Sequence, residues 1–354
     1  MEVFFNILDS KDVNEKGDFK KMIGCTSLVL NASDKTSVLA RTMDFTIEMA
    51  ENVIYTPKEK KITSSYGEDS FYISKLAFIG MGMQMPDGPV TFDGVNQAGL
   101  TAATLYFPGY ASYKKVKEEN RLAVSPDKII SFVLANCETN QEVRRAFETD
   151  ITIVDRPNPV LGLTTPLHYI FMDKSGNSLI VEPTENGIKI YDHSIGVMTN
   201  SPDYPWHENN LRNYLSINPH QYQTVNWLGK TLQPFSQGSG SFGLPGDYTP
   251  TSRFIRAAFL KNFIEKPKDE IQTINAAANI LKSVSIPKGI VLTQENKSDY
   301  TCYSSYMSAQ TQSYYFATYG NQRIRKVSLT EKLLSHSDYL SFRVKNNEDI
   351  LNLN

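Results

Sequence analysis

Gly24-Cys25-Thr26-Ser27-Leu28-Val29-Leu30, then Ala32-Ser33-Asp34-Lys35, then Ala40-Arg41-Thr42-Met43-Asp44-Phe45: two strand-like runs about a turn decide how this chain is read. The first run alternates as a strand does, and Ala-Ser-Asp-Lys is turn chemistry, so the stretch predicts a β-hairpin. Such a hairpin brings Arg41 and Asp44 back towards Cys25 and gathers a thiol, a guanidinium and a carboxylate at its base. A fixed cation beside a cysteine favours thiolate over thiol, which is how nucleophilic cysteines are activated. Were everything before Cys25 removed, its own α-amine, with a reference pKa of about 7.7–8.0, would serve as base. The alternative is a cysteine packed as a small hydrophobe. Arg41 and Asp44 would then be a strand-end salt bridge, worth under about 1 kcal/mol at a surface.

Composition narrows the class of molecule. At 354 residues the chain sits at the upper limit for one core. A net charge of −2 gives no electrostatic reason to expect nucleic acid or an anionic membrane as partner. No apolar run is long enough to span a bilayer. Three cysteines (Cys25, Cys137, Cys302) are too few for a disulfide scaffold and fit a reducing compartment. Met1 to Lys21 is polar and mixed in charge, without the apolar core of a secretion signal. Together these features predict a cytoplasmic protein. The histidines His168, His193, His207, His220 and His336 show no metal spacing, and neither a metal nor another cofactor is expected.

Along the chain, strands precede helices, and the order then repeats without a linker or internal repeat. Phe71 to Ile79 and Ala98 to Tyr106 read as strands. Ser125-Pro126-Asp127 predicts a helix start, with Ser125 as N-cap, and the helix runs to about Cys137. A second helix begins near Thr139-Asn140. Strands at 167–172, 178–182 and 187–192 form a meander, helices cover about 250–266 and 271–284, and strands follow at 300–308, 313–318 and 323–327. Pattern alone predicts an α+β fold. Tyr214 to Asp247, rich in Asn, Gln, Gly, Pro and Ser, is long for a structureless loop in a compact domain. Trp227 and Phe235 within it point to partner contact.

Met22-Ile23-Gly24-Cys25-Thr26-Ser27 and Ala40-Arg41-Thr42-Met43-Asp44-Phe45 resemble the amino end of the penicillin V acylases. These belong, with the bile salt hydrolases, to the choloylglycine hydrolase group of N-terminal-nucleophile hydrolases. The resemblance continues through Asp93-Gly94-Val95-Asn96, Leu105-Tyr106-Phe107-Pro108-Gly109-Tyr110 and Gly196-Val197-Met198-Thr199-Asn200-Ser201-Pro202. It ends with Leu244-Pro245-Gly246-Asp247 and Pro250-Thr251-Ser252-Arg253-Phe254, and so covers the chain from Met22. It implies a four-layer α/β/β/α sandwich with two antiparallel sheets, in a single catalytic domain over residues 25–354. It also implies a homotetramer in which 214–247 reaches onto neighbouring subunits.

The resemblance further implies hydrolysis of a linear amide with Cys25 as nucleophile. Arg41 favours the thiolate, and Asp44 orients the α-ammonium. Asn200 and the backbone N–H of Tyr106 meet the oxyanion, where loss of one donor typically costs about 100- to 1000-fold in rate. Arg253 matches the family's active-site arginine, whereas Arg256, one turn on, is structural; Cys137 and Cys302 are inert. Bile salt hydrolases usually carry asparagine where this chain has Tyr106. Tyrosine is the penicillin V acylase form, and its ring offers a flat face to an aryl group. With Met43, Phe45 and Phe107 adding soft apolar surface, the implied substrate is penicillin V, split to phenoxyacetate and 6-aminopenicillanate. Bile conjugates and N-acyl homoserine lactones are the alternatives, and a non-catalytic assembly protein of the same fold is a further one. Residues 1–24 are expected to be absent from the mature enzyme. Lys16-Gly17-Asp18-Phe19-Lys20-Lys21 back-translates as a purine-rich stretch just before an ATG at Met22. Met1 to Lys21 therefore reads as untranslated leader, with a propeptide ending at Gly24 as the alternative.

Overall fold

The computed structural model describes residues 24–46, 52–67 and 69–354. The expectations for Met1 to Lys21 lie outside the described residues. β1 (Thr26–Asn31) and β2 (Ser37–Phe45) form the predicted hairpin, and Lys35 takes a left-handed φ of 72° in its turn. β3 (Asn52–Thr56) leads through the small pair β4 (Lys61–Thr63) and β5 (Phe71–Ile73) to three long strands. These are β6 (Phe78–Met85), β7 (Gly88–Asn96) and β8 (Thr101–Tyr106). β9 (Leu122–Val124), α1 (Ile129–Asn136), α2 (Asn140–Arg145) and β10 (Ile151–Ile153) follow. The meander is β11 (Leu167–Met172), β12 (Ser178–Thr184) and β13 (Gly187–Tyr191). After β14 (Val197–Met198) and α3 (Tyr204–Asn210) comes an exposed hairpin, β15 (Val225–Trp227) and β16 (Lys230–Leu232). The chain closes with α4 (Pro250–Phe263), α5 (Glu270–Val284), β17 (Val291–Leu292), β18 (Ser298–Ser308), β19 (Ser313–Thr318), β20 (Asn321–Ser328), α6 (Glu331–Leu334) and β21 (Leu340–Arg343).

Two antiparallel sheets hold most of these strands. One runs β14-β1-β2-β18-β19-β20 with β17 on β18; the other runs β13-β12-β11-β8-β7-β6-β3-β21. β2 faces β8, and β18 and β19 face β7, so the sheets pack against each other. α4 and α5 cover the first sheet, and α1 covers the second. This is the α/β/β/α order of an α+β sandwich. The strands are buried on both faces, so β2, β7, β8 and β11 carry near-continuous buried runs rather than strict alternation.

Two expectations change. Phe71 to Ile79 is not one strand, because Ser74 breaks it. Its N–H donates to Lys60 O and its hydroxyl to Pro57 O, and the next two amides both turn onto Ala135 O near the end of α1. Ser125 does stand at the N-cap position, but its hydroxyl caps nothing: it accepts from Tyr66 N and donates to Ser65 Oγ. The segment instead opens with a 3₁₀ turn at Pro126–Lys128. Thr139, Thr249 and Asp269 do cap α2, α4 and α5, each side chain accepting from a first-turn amide.

Gly80 and Gly94 face each other across β6 and β7, where α1 packs closely. A Cβ on Gly94 would lie 2.5 Å from Ile79 O and 2.9 Å from Leu134 Cδ1. Gly94→Ala should therefore destabilise by about 1–3 kcal/mol through overpacking. The check is the urea midpoint at constant slope; an unchanged midpoint would mean that α1 can retreat.

Candidate active site

The hairpin register sets the site. Thr26 pairs with Thr42 and Ser27 with Arg41, so Cys25 stands one step beyond the pairing, beside Met43 and Asp44. Cys25 is buried at 3% exposure and lines a cleft with Gly24, Met43 and Phe45 of the hairpin. The opposite wall is Met83, Val90, Phe92, Leu105, Tyr106, Leu161 and Leu167, and the space left open is about 80 Å³. Phe107 does not join this wall. It is fully buried behind it, its ring stacked at 4.2 Å on His168. Phe107 lies just past the end of β8, and its ring is held between those of His168 and Tyr110 instead.

Arg41 crosses from one sheet to the other and is wholly buried. Its Nη2 donates to Cys25 Sγ at 2.8 Å and to Thr104 O at 3.1 Å. Its Nη1 donates to Asp93 Oδ2 at 2.7 Å and to Tyr303 OH at 3.2 Å. Burial works against this charge, but Cys25, Tyr303 and Asp93 outweigh it and hold the guanidinium above its usual range. A thiol here therefore faces a permanent cation.

Arg253 enters from the first turn of α4 and uses every arm. Nε donates to Tyr248 O at 2.9 Å, Nη1 to Cys25 O at 2.8 Å and Thr26 Oγ1 at 2.6 Å, and Nη2 to Asn200 Oδ1 at 2.8 Å. The last bond decides the Asn200 amide: with Oδ1 taken by a cation, Nδ2 must face the other way. It donates to Tyr106 O at 2.7 Å. Phe107 N donates to Pro166 O, which makes Tyr106–Leu167 a non-hydrogen-bonded pair of β8 and β11. The backbone of Tyr106 thus points away from β11 and towards Asn200. Gly24 fits between them; a Cβ there would lie 3.3 Å from Asn200 Nδ2 and 3.4 Å from Tyr106 Cβ.

Asp44 is buried beside these groups. Oδ1 accepts from Thr301 Oγ1 at 2.6 Å, Oδ2 from Thr42 Oγ1 at 3.3 Å, and Arg253 Nη1 lies 3.9 Å away. Burial pushes its carboxyl up, and Arg253, Thr301, Arg41 and Thr42 pull back without cancelling it. Arg256 is elsewhere, holding Ser283 O, Pro245 O and Asp247 O as expected of a structural residue. Cys137 is buried, and its thiol is pushed up to about 12, chiefly by burial. Among the described residues no His, Cys, Asp and Glu group could hold a metal.

The structure also brings in residues that the sequence reading left without roles. Asp93, Tyr303 and Tyr314 close the far side of Arg41. Behind Asn200, His168 bridges Glu182 and Thr199 O, and His207 Nε2 meets Asn200 O at 2.9 Å. Because Asn200 O can only accept, Nε2 carries the proton. A polar residue inside an apolar run was the available signal for Asp93 and His168; nothing local marks the tyrosines.

Burial, opposed by the bond to Asn200 O, lowers His207 to about 4 from its ordinary 6.5. The unfolded chain then takes up this proton first as pH falls from about 6.5 towards 4. His207 therefore contributes stability that is full above that window and lost within it. Urea midpoints at pH 7 and pH 4.5 should differ less in His207→Asn than in the parent; an equal difference would remove His207 from the acid sensitivity.

The family model for linear amide C–N hydrolases of the choloylglycine hydrolase family matches residues 25–342. A bile salt hydrolase/transferase of Clostridium perfringens is 34% identical over 331 residues, covering 93% of this chain and all of that protein. A conjugated bile acid hydrolase of Lactobacillus acidophilus is 33% identical, covering 82% of this chain and 91% of the relative. A variant of conjugated bile acid hydrolase from Clostridium perfringens superposes with a TM-score of 0.86 at 32% identity, over 93% of this chain and 100% of that one. Penicillin V acylase from Agrobacterium tumefaciens gives 0.73 at 23% identity over 91% and 92%, a likeness of fold.

Proposed function

The chain belongs to the choloylglycine hydrolase family of linear amide C–N hydrolases, and from that premise we propose that Cys25 hydrolyses amides of compact, apolar aryl acids, with penicillin V as the representative substrate. The carrying observation is the wall formed by Tyr106 beside Cys25. Its ring, with Phe45 and Phe92, bounds an apolar cleft of about 80 Å³, far below the roughly 300–1,000 Å³ of sites for drug-sized ligands. A phenoxyacetyl group suits that space better than a steroid. The second reading, hydrolysis of conjugated bile acids, is favoured by the relatives named for it.

In this mechanism the chain before Cys25 leaves first, freeing the α-amine. Gly24, seated between Asn200 and Tyr106, occupies the place of a substrate acyl group, so that the Gly24–Cys25 bond is the first amide presented. In the mature enzyme the α-amine takes the Sγ proton while Asp44 holds the resulting ammonium. The thiolate attacks the carbonyl carbon, and the oxyanion is met by Asn200 Nδ2–H and Tyr106 N–H. The tetrahedral intermediate collapses to a thioester, and the leaving amine takes the proton from the ammonium. Water, deprotonated by the same amine, then releases the acid and regenerates the thiol. Arg253 fixes the donor face of Asn200 and so acts through it.

Cys25→Ala should abolish hydrolysis and retain Gly24 at or near its amino end by intact mass; a tenth of parental turnover in this variant would overturn the nucleophile assignment. The ratio of kcat/KM for penicillin V to that for glycine-conjugated cholate should favour penicillin V and move towards cholate in Tyr106→Asn. Preference for the bile conjugate in the parent would replace the first reading by the second.

The exposed hairpin at 225–232, with Trp227, Leu228 and Phe235 largely open to solvent, supports the further proposal of subunit contact through 214–247. Light scattering should give a homotetramer, with smaller species after deletion of this hairpin; a monomeric parent would refute it.

A further inference from the structure

We infer that Asp93 is the positioning residue of the reaction: by holding one arm of Arg41 and matching its charge, it sets how strongly Arg41 binds the Cys25 sulfur. This rests on the reading of Cys25 as nucleophile. Asp93 lies on β7, in the sheet opposite the hairpin, is wholly buried, and does not line the cleft. Oδ2 accepts from Arg41 Nη1 at 2.7 Å and from Tyr303 OH at 2.6 Å, and Oδ1 accepts from Tyr314 OH. Four strands of two sheets, β2, β7, β18 and β19, therefore converge on one carboxylate. The arm of Arg41 that it does not hold is the arm on Cys25 Sγ.

Charge counting gives the direction. The charged and titratable groups around Cys25 are Arg41 and Asp44 from β2, Asp93 from β7, Tyr106 from β8, Tyr303 and Tyr314 from β18 and β19, and Arg253 from α4, with Asp127 across the cleft and Asp299 of β18 acting on Arg253. The two arginines are each met by one carboxylate, Arg41 by Asp93 and Arg253 by Asp44. Cys25 and its amine can then exchange a proton beside two paired arginines rather than two unpaired ones. Without the Asp93 charge, Arg41 cannot escape to solvent, because both of its faces are packed between the sheets. The sulfur, with Asp44 further off, would be left to balance its field. A thiolate held in that way forms at lower pH, but it attacks more slowly, since nucleophilicity falls with basicity.

The test is the pH dependence of Cys25 alkylation by iodoacetamide, read by mass spectrometry, alongside kcat/KM and KM. In Asp93→Asn the alkylation midpoint should fall by about one pH unit, the Coulombic effect of one buried charge removed nearby. At a pH above both midpoints kcat/KM should fall about threefold with KM nearly constant, since nucleophilicity falls with basicity at a slope of about 0.4–0.5. Asp93→Glu, which restores the charge, should return the midpoint towards the parent. A purely structural role would lower stability without moving the midpoint, and an unmoved or raised midpoint overturns the inference. Should Asp93→Asn fail to fold, Arg41→Met and Arg41→Met/Asp93→Asn remain. Removal of both partners of a buried pair is better tolerated than removal of one. The double variant should alkylate at a lower pH than Arg41→Met, and equal midpoints overturn the inference. Alkylation does not depend on the substrate. A failure of the nucleophile reading would appear separately, as turnover surviving in Cys25→Ala.

Discussion

A guanidinium with no exposure to water, fastened at one end to a carboxylate and at the other to a sulfur, is the constraint around which this molecule is built. Arg41 stands on the inner face of one sheet and takes its counter-charge from the other. An uncompensated buried charge costs several kcal/mol, so the two sheets must meet with β2 opposite β7 and β8, in one register. A one-residue slip of β7 would turn Asp93 to the α1 side and put its neighbour Gly94 or Phe92 against the cation. The glycine contacts beneath α1 guard that register from behind, since Gly80 and Gly94 let helix and sheet approach so closely.

The second arginine makes a different use of the same principle. Arg253 spends its donors on carbonyl and hydroxyl oxygens and on Asn200 Oδ1, with Asp44 at the longer distance of 3.9 Å. What it imposes is orientation. An asparagine amide has two nearly identical ends, and only a strong donor on the oxygen makes the NH₂ end face the cleft reliably. His207 and His168 fix the backbone of the same short segment through Asn200 O and Thr199 O. The proposed oxyanion donor is thus held from its side chain and from its main chain by separate elements.

How much of this was legible in the sequence follows from distance along the chain. Cys25, Arg41 and Asp44 lie within one hairpin, where turn chemistry and strand alternation determine who faces whom, and the structure gathers them as the hairpin predicts. The meander, both long helices and the last strand group were likewise legible, because their periodicity is local. The β6–β7 hairpin, β3 and the edge strand β21 were not read. Met83-Gln84-Met85 around an Asp-Gly turn lacks β-branched residues, and edge strands carry little pattern of their own. Tyr303 and Tyr314 could not be assigned at all: each is one tyrosine among 19, and only the packing of two sheets selects it. Phe107 was misplaced for a simpler reason. Composition called it apolar and suitable for a cleft, but past the end of β8 its ring is taken up by His168 and Tyr110.

At the neighbouring position, main chain and side chain face different partners. The main chain of Tyr106 faces Asn200, with its carbonyl accepting Nδ2 and its N–H on the same edge. The side chain of Tyr106 faces the acyl cleft. Any residue but proline offers the same N–H and C=O, so position 106 can change its side chain without changing the proposed oxyanion donors. The strand pairing that holds this backbone, Phe107 N to Pro166 O, is likewise indifferent to the side chain at 106. A family that hydrolyses linear amides can therefore exchange one acyl group for another at this wall while Cys25, Arg41, Asp44, Asn200 and Arg253 stay as they are. On the proposed roles, substrate choice and turnover chemistry are then separable by construction, one written in a side chain and the other in the main chain behind it.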